Sequence, residues 1–231
     1  MKKLFLVAAM MVATISASAQ REAGAMTLQP KLGFGFTNIT KLEGPSLGTG
    51  DKVDKKLNIG GLAGIEFEYQ LTPMFSLAAG LTYTIQGAAL DDTKFSAAGN
   101  WIEMKDMSYE LQYVNLPIVA NAYLFPGFAV KAGVQFGLLT SAKEKFELDS
   151  NMSDATLQAA GMPAKGKHES TDYKENLKKL DVSIPIGVSY EFSNVVIDAR
   201  YHFGLTKINK EGNESYKNSV FMLTFGYKFD I

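Results

Sequence analysis

The stretch VVIDARYHFGL (residues 195–205) puts Val195, Ile197, Ala199, Tyr201, Phe203 and Leu205 at every second position, with Asp198, Arg200 and His202 between them. A period of two sends successive side chains to opposite faces of a β-strand. The same alternation recurs over residues 28–36, 59–70, 75–86, 113–124, 128–138, 180–192 and 221–231. Eight two-faced strands are therefore expected. The fold depends on which face meets water.

Volume answers that. The eight apolar faces carry about 46 side chains, whereas a cylinder of eight strands encloses only about twelve in its interior layers. The apolar set cannot be stowed inside. Glycine recurs on the opposite face (Gly33, Gly35, Gly60, Gly64, Gly80, Gly133, Gly137, Gly187, Gly204, Gly226), where it weakens a solvent-facing strand but relieves a crowded lumen. Charges of both signs share that face, as a buried surface requires, because interior charges are tolerable only when paired. Glu66, Glu68, Lys131, Asp181, Asp198, Arg200 and Lys228 are the expected lumen polar network. Lipid then surrounds the apolar face, and Tyr69, Tyr83, Tyr190, Phe192, Tyr201, Phe203, Tyr227 and Phe229 suit its interfacial girdles.

The connections agree. Thr72-Pro73-Met74, Phe125-Pro126-Gly127 and Ser193-Asn194 are hairpin turns, and the alternate links, 38–58, 87–107, 140–178 and 208–218, are long. An even strand count with short and long links in alternation is the pattern of an up-and-down transmembrane barrel with short periplasmic turns and long outer loops. The fold class expected is all-β, an eight-stranded antiparallel barrel. Residues 1–19 read as a signal peptide: Lys2 and Lys3, an apolar core from Leu4 to Ile15, then Ala17-Ser18-Ala19 as the cleavage site. Residues 20–231 form one barrel domain, exported to the outer membrane.

Composition narrows the chemistry. The chain has no cysteine, so neither disulfides nor thiolate zinc sites contribute. Without the two signal-peptide lysines, 21 basic residues face 24 acidic ones, a net charge near −3, and a nucleic-acid partner, which would call for a basic patch, is not expected.

The segments YELQYVNLPIVANAYLFPGFAVKAGVQFGLL (109–139), LDVSIPIGVSYEF (180–192) and VVIDARYHFGLTKI (195–208) resemble the PorT-type outer-membrane β-barrel family, most closely over 109–231. The last strand, VFMLTFGYKFDI, is similar to terminal strands read by barrel-insertion machinery, although it ends in Ile231 where many such proteins end in Phe. The resemblance implies architecture and address rather than an activity.

Catalytic candidates are few. His202 lies on the polar face with no serine beside it in the strand, so a lumen hydrogen bond is expected. Glu66-x-Glu68 suggests internal salt bridges, because a narrow lumen admits no sugar chain. Gly60-Gly61-Leu62-Ala63-Gly64 lacks phosphate-loop spacing, and Asp91-Asp92 lacks an EF-hand pattern. His168 sits in the longest loop, which also carries a short helix near 154–160. Trp101 is expected as an outer-loop contact or, equally, as an anchor at the outer interface.

No catalytic residue, cofactor or metal is assigned. The expected role is structural, adhesive or assembly, exerted through the outer loops, with a lumen filled by polar side chains. Expected partners are outer-membrane lipid, the insertion machinery through the C-terminal strand, and an envelope protein at the outer loops. Two readings stand beside it: an embedded enzyme acting on lipid or lipopolysaccharide, and a soluble lipocalin-like periplasmic barrel.

Overall fold

A computed structural model describes residues 21–42, 54–170, 172–212 and 214–231. The expected signal peptide lies outside the described residues. The elements in chain order are β1 (Met26–Thr40), β2 (Lys55–Lys56), β3 (Asn58–Thr72), β4 (Phe75–Leu90), β5 (Thr93–Ala97), β6 (Asn100–Phe125), β7 (Phe128–Ser150), helix α1 (Asp154–Ala159), β8 (Gly166–Ser170), a 3₁₀ turn (Asp172–Asn176), β9 (Leu180–Phe192), β10 (Val195–Gly204), β11 (Lys217–Tyr227) and β12 (Phe229–Asp230).

Eight of these strands close a cylinder. β1 pairs antiparallel with β3, β3 with β4, β4 with β6, β6 with β7, β7 with β9, β9 with β10, β10 with β11, and β11 returns to β1. Closure satisfies every ladder without an edge, which is what allows strands to cross hydrocarbon. The β9–β10 turn shows how local chemistry sets the register. Ser193 and Asn194 have φ of 47° and 69°, the left-handed pair of a two-residue hairpin whose twist matches its strands.

The facing is uniform around the cylinder. None of the side chains on the eight apolar faces is buried within the protein, and Leu32, Ile59, Leu81, Leu116, Leu138, Ile186 and Phe225 are among the exposed ones. The intervening positions point inward. Aromatic side chains gather at the short-turn rim, where Phe125 stacks on Phe128 with centroids 4.7 Å apart and Tyr227 meets Phe229 at 4.7 Å.

Inward glycines sit where the curved sheet leaves no room. A Cβ added at Gly133 would land on the carbonyl oxygen of Ile118 across the β6–β7 ladder, whereas one at Gly61 would find only a backbone oxygen 3.9 Å away. Gly133→Ala is therefore expected to cost roughly 1–3 kcal/mol through overpacking and Gly61→Ala almost nothing. Urea unfolding in lipid vesicles, followed by heat-modifiable gel migration, compares the two.

Two expectations need correction. Links 87–107 and 140–178 are largely strand rather than loop: β4 runs on to Leu90, β6 begins at Asn100 and β7 ends at Ser150. β6 is 26 residues long and β7 is 23, about twice the 9–11 residues that a tilted strand needs to cross a bilayer. The excess forms a four-stranded sheet, β5-β6-β7-β8, beyond the apolar belt. Its alternation is hidden because register shifts between Lys105/Ser108 and Gln112/Tyr113 change the phase, and its outward positions are charged rather than apolar.

The second correction concerns the filling, which is polar only up to the outer mouth. There Ile39, Leu90, Tyr109, Leu111, Tyr113, Leu139, Leu177 and Ile208 belong to one buried apolar cluster, with Met107, Tyr173 and Tyr216 packed on it. Inward side chains at this height meet one another across the barrel, so apolar groups fill it by mutual burial.

Candidate functional site: a filled lumen beneath an outer sheet

The inward positions of neighbouring strands bring charged residues together in levels. At the middle level Glu66, on β3, accepts from both Arg200 amino groups at 2.9 and 3.0 Å and from Lys31 at 2.5 Å. Arg200 also donates to Asp198, two residues before it on β10, at 2.7–3.1 Å. Lys131, from β7, stands 2.8 Å from Asp198 and 3.9 Å from Glu66. The guanidinium fork thus bridges two carboxylates, the planar bidentate geometry in which Arg binds best.

The periplasmic level centres on Lys228, which lies 2.8 Å from Glu68 and 2.9 Å from Glu191 and donates to the Tyr123 hydroxyl at 3.0 Å. Glu68 accepts from Ser76 and Tyr123, each at 2.5 Å. Arg21 closes the bottom, reaching Glu191 at 2.5 Å and Asp230 at 2.8 Å.

Asp181 does not join either level. It lies higher, accepting from Asn218 at 3.0 Å and Thr206 at 2.7 Å, with no salt bridge to it among the described residues. The inward charges nonetheless balance: Arg21, Lys31, Lys131, Arg200 and Lys228 against Glu66, Glu68, Asp181, Glu191 and Asp198.

His202 sits one step above Arg200 on the same face, buried, with Nδ1 unbonded. It shares a cavity of about 10 Å³ with Thr82 and Thr224, whose hydroxyls also lack protein partners. That space has room for at most one water and for no organic substrate. Glu66 and Glu68, alternate residues on one face, are committed to separate cation sets.

The remaining candidates lie outside the lumen. Gly60–Gly64 is part of β3. Asp92 accepts from Lys56 at 2.8 Å and from the Asp106 amide at 3.1 Å. The Lys56 ammonium, aided by that amide, holds its carboxyl below the usual range. Among the described residues no group of three or more His, Cys, Asp or Glu is placed to hold a metal ion.

Above the mouth, the sheet presents two unlike faces. One carries Phe146, Leu148 and Leu157 of α1, with Leu148 and Leu157 buried. α1 starts where Ser153 caps it by accepting from the Thr156 amide. His168 stacks on Phe146 with centroids 5.0 Å apart and bonds to the Ala164 carbonyl at 2.7 Å through Nε2. The other face is a ladder of opposite charges: Lys105 with Asp149 at 3.1 Å, Lys143 with Glu169 at 2.8 Å, Lys145 with Glu110 at 3.1 Å. The hydrogen bond from Lys105 holds the Asp149 carboxyl below its ordinary value. Trp101 lies at the far end of β6 under Lys94, whose ammonium sits 4.2 Å from the ring centroid. Below, burial pushes the Tyr109 and Tyr173 phenols above their usual range, the Glu144 charge adding to it, so both stay neutral in the mouth.

Sequence reasoning missed Arg21, Tyr123, the Asn218–Asp181 pair and the mouth cluster. A signal existed for the tyrosines. Tyr113 and Tyr123 fall on the polar alternation of their strand, the sign of an aromatic turned inward.

The model of a family described as outer membrane protein beta-barrel domain matches residues 18–210. No curated protein matches the chain. Among solved structures the chain is similar to Ail, the attachment invasion locus protein of Yersinia pestis (16% identity, 90% of this chain and 99% of that one, TM-score 0.37). It is also similar to Neisserial surface protein A (14%, 89% and 99%, TM-score 0.43) and to the Escherichia coli outer membrane protein W (17%, 90% and 100%, TM-score 0.35).

Proposed function

The chain belongs to the outer-membrane β-barrel domain family, and on that premise we propose that it is a sealed, non-enzymatic barrel that serves a structural, adhesive or assembly role through its outer sheet. One observation carries the reading: the barrel is closed along its length, while its two longest strands continue outward into a sheet of their own. Ion pairs fill the lower and middle lumen, and the apolar cluster fills the mouth. Among the described residues, β5 to β8, α1 and Trp101 extend beyond the barrel and are the surface offered to an envelope partner. The strand Lys217–Tyr227 with Phe229 would present the insertion signal.

Two experiments test this. In planar-bilayer recordings the wild-type protein is expected to show no stable open channel, and Leu111→Ala with Leu139→Ala, which loosens the mouth cluster, is expected to admit small-ion leak. Large steady conductance in the wild type would overturn the sealed barrel. Replacing residues 93–105 and 144–170 with short turns should leave a heat-modifiable barrel in the membrane and abolish its cross-links to envelope partners. Undiminished cross-linking would place the interaction elsewhere.

A further inference from the structure

The outer rim of the barrel is chemically lopsided. On the β6–β8 side each of Lys105, Lys143 and Lys145 is salt-bridged to a carboxylate. On the β9–β11 side the rim is cationic. Lys178 lies two residues before the exposed Leu180, Lys207 two residues after the exposed Leu205, and Lys217 two residues before Ser219 on β11.

The residues beside these lysines fix which way they face. Leu177 and Ile208 are buried in the mouth cluster and Tyr216 packs against it, while Thr206 and Asn218 turn inward to Asp181. With inward side chains on both sides of them, Lys207 and Lys217 are left on the side away from the lumen, and Lys178, next to the buried Leu177, is exposed. The backbone brings their segments side by side: the Lys178 amide donates to the Ile208 carbonyl at 2.7 Å, the Leu205 amide to Val182 at 2.8 Å, and Phe203 pairs with Ser219.

Among the described residues neither Lys178 nor Lys217 makes a salt bridge, and Lys207 donates only to the Gly212 carbonyl, at 2.6 Å. The nearest acidic residues of the β10–β11 connection are Glu211, exposed, and Glu214, which pairs with Lys41 at 3.4 Å. Beneath the lysines on the same outer wall lie Leu180, Leu205, Phe203 and Phe221.

We propose that Lys178, Lys207 and Lys217 bind the phosphate of a phosphorylated lipid in the outer leaflet, whose acyl chains lie on the apolar wall below. Charge complementarity favours this occupant. The three lysines sit on adjoining backbone segments next to the exposed Leu180, Leu205, Phe203 and Phe221, and each basic residue near a membrane surface adds attraction to anionic lipid. The site is independent of whatever the outer sheet contacts, so the two proposals stand or fall separately.

The test uses full-length protein in phosphatidylcholine vesicles doped with diphosphorylated lipid A, extracted in zwitterionic detergent, with retained lipid A counted by mass spectrometry. Lys178→Gln, Lys207→Gln and Lys217→Gln together are expected to lower retention about tenfold or more, with heat-modifiable migration unchanged. The three arginine replacements should keep it. Wild-type retention in the glutamine triple variant would overturn the proposal, as would an equal loss from glutamine at Lys105, Lys143 and Lys145. Displacement by free inorganic phosphate would also overturn it, by reassigning the lysines to a soluble anion. If the triple variant fails to insert, Lys178→Gln with Lys217→Gln is judged by the same criteria. Raising the salt must then also release lipid A from the wild type, and continued retention in high salt would overturn the site.

Discussion

Ile186→Arg is expected to destabilise the barrel by about 2–4 kcal/mol, the cost of arginine at the midplane of a lipid-facing barrel wall. Ile186 is the central outward residue of β9, beside Ala132 of β7 and Tyr201 of β10, and is 47% exposed in the isolated chain. An arginine so exposed would be unremarkable in water and is costly in hydrocarbon, so the substitution reports on which medium surrounds the wall. Val134→Arg on β7 should behave alike. Equilibrium unfolding in vesicles measures both. The comparison is Ile231→Arg, at the chain's end on the periplasmic rim, where the penalty falls toward zero. Normal insertion and stability of both midplane variants would contradict the facing assignment.

Glu66→Gln should be at least as damaging, by about 3–5 kcal/mol, because removing one member of a buried ion cluster strands the others. Glu66 is the acceptor shared by Arg200 and Lys31, with Lys131 at 3.9 Å. Without its charge, Asp198 alone faces three cations. The double variant Glu66→Gln with Arg200→Gln should lose less than the sum of the singles, since it removes one charge of each sign, and a double-mutant cycle measures that coupling. Strict additivity would show that the pair does not act as a unit. Asp181→Asn should cost far less, because Asp181 is held by a hydroxyl and an amide rather than by a cation.

These expectations draw on different layers of information. Which positions face lipid was legible because a period of two needs only the chain itself, and the bulk of Phe34, Leu81, Phe136 or Phe225 leaves no other place for them. The inward charges were legible as a set for the same reason. Their partners were not. Glu66 and Arg200 are 134 residues apart, and only the register of β3, β1, β11 and β10 brings them to one height. Nothing local distinguishes Asp181, which ends up apart from the ion pairs, from Asp198, which ends up among them.

Above the belt the pattern itself changes meaning. Lys143, Lys145 and Glu147 alternate with Glu144, Phe146 and Leu148 as regularly as any lipid-facing run, but charge now occupies the outward positions. A chain read for greasy alternation therefore appears to enter a loop where β6 and β7 in fact continue.

By its own pattern, then, the chain determined the number of barrel strands, their facing and the medium around them, since alternation and side-chain volume are properties of short segments. Only the closed barrel decided which charges neutralise one another, that an apolar cluster stoppers the mouth, and that Lys178, Lys207 and Lys217 share one side of the rim. Those relations join residues far apart in the chain, and they exist only once each strand has taken its register against its neighbours.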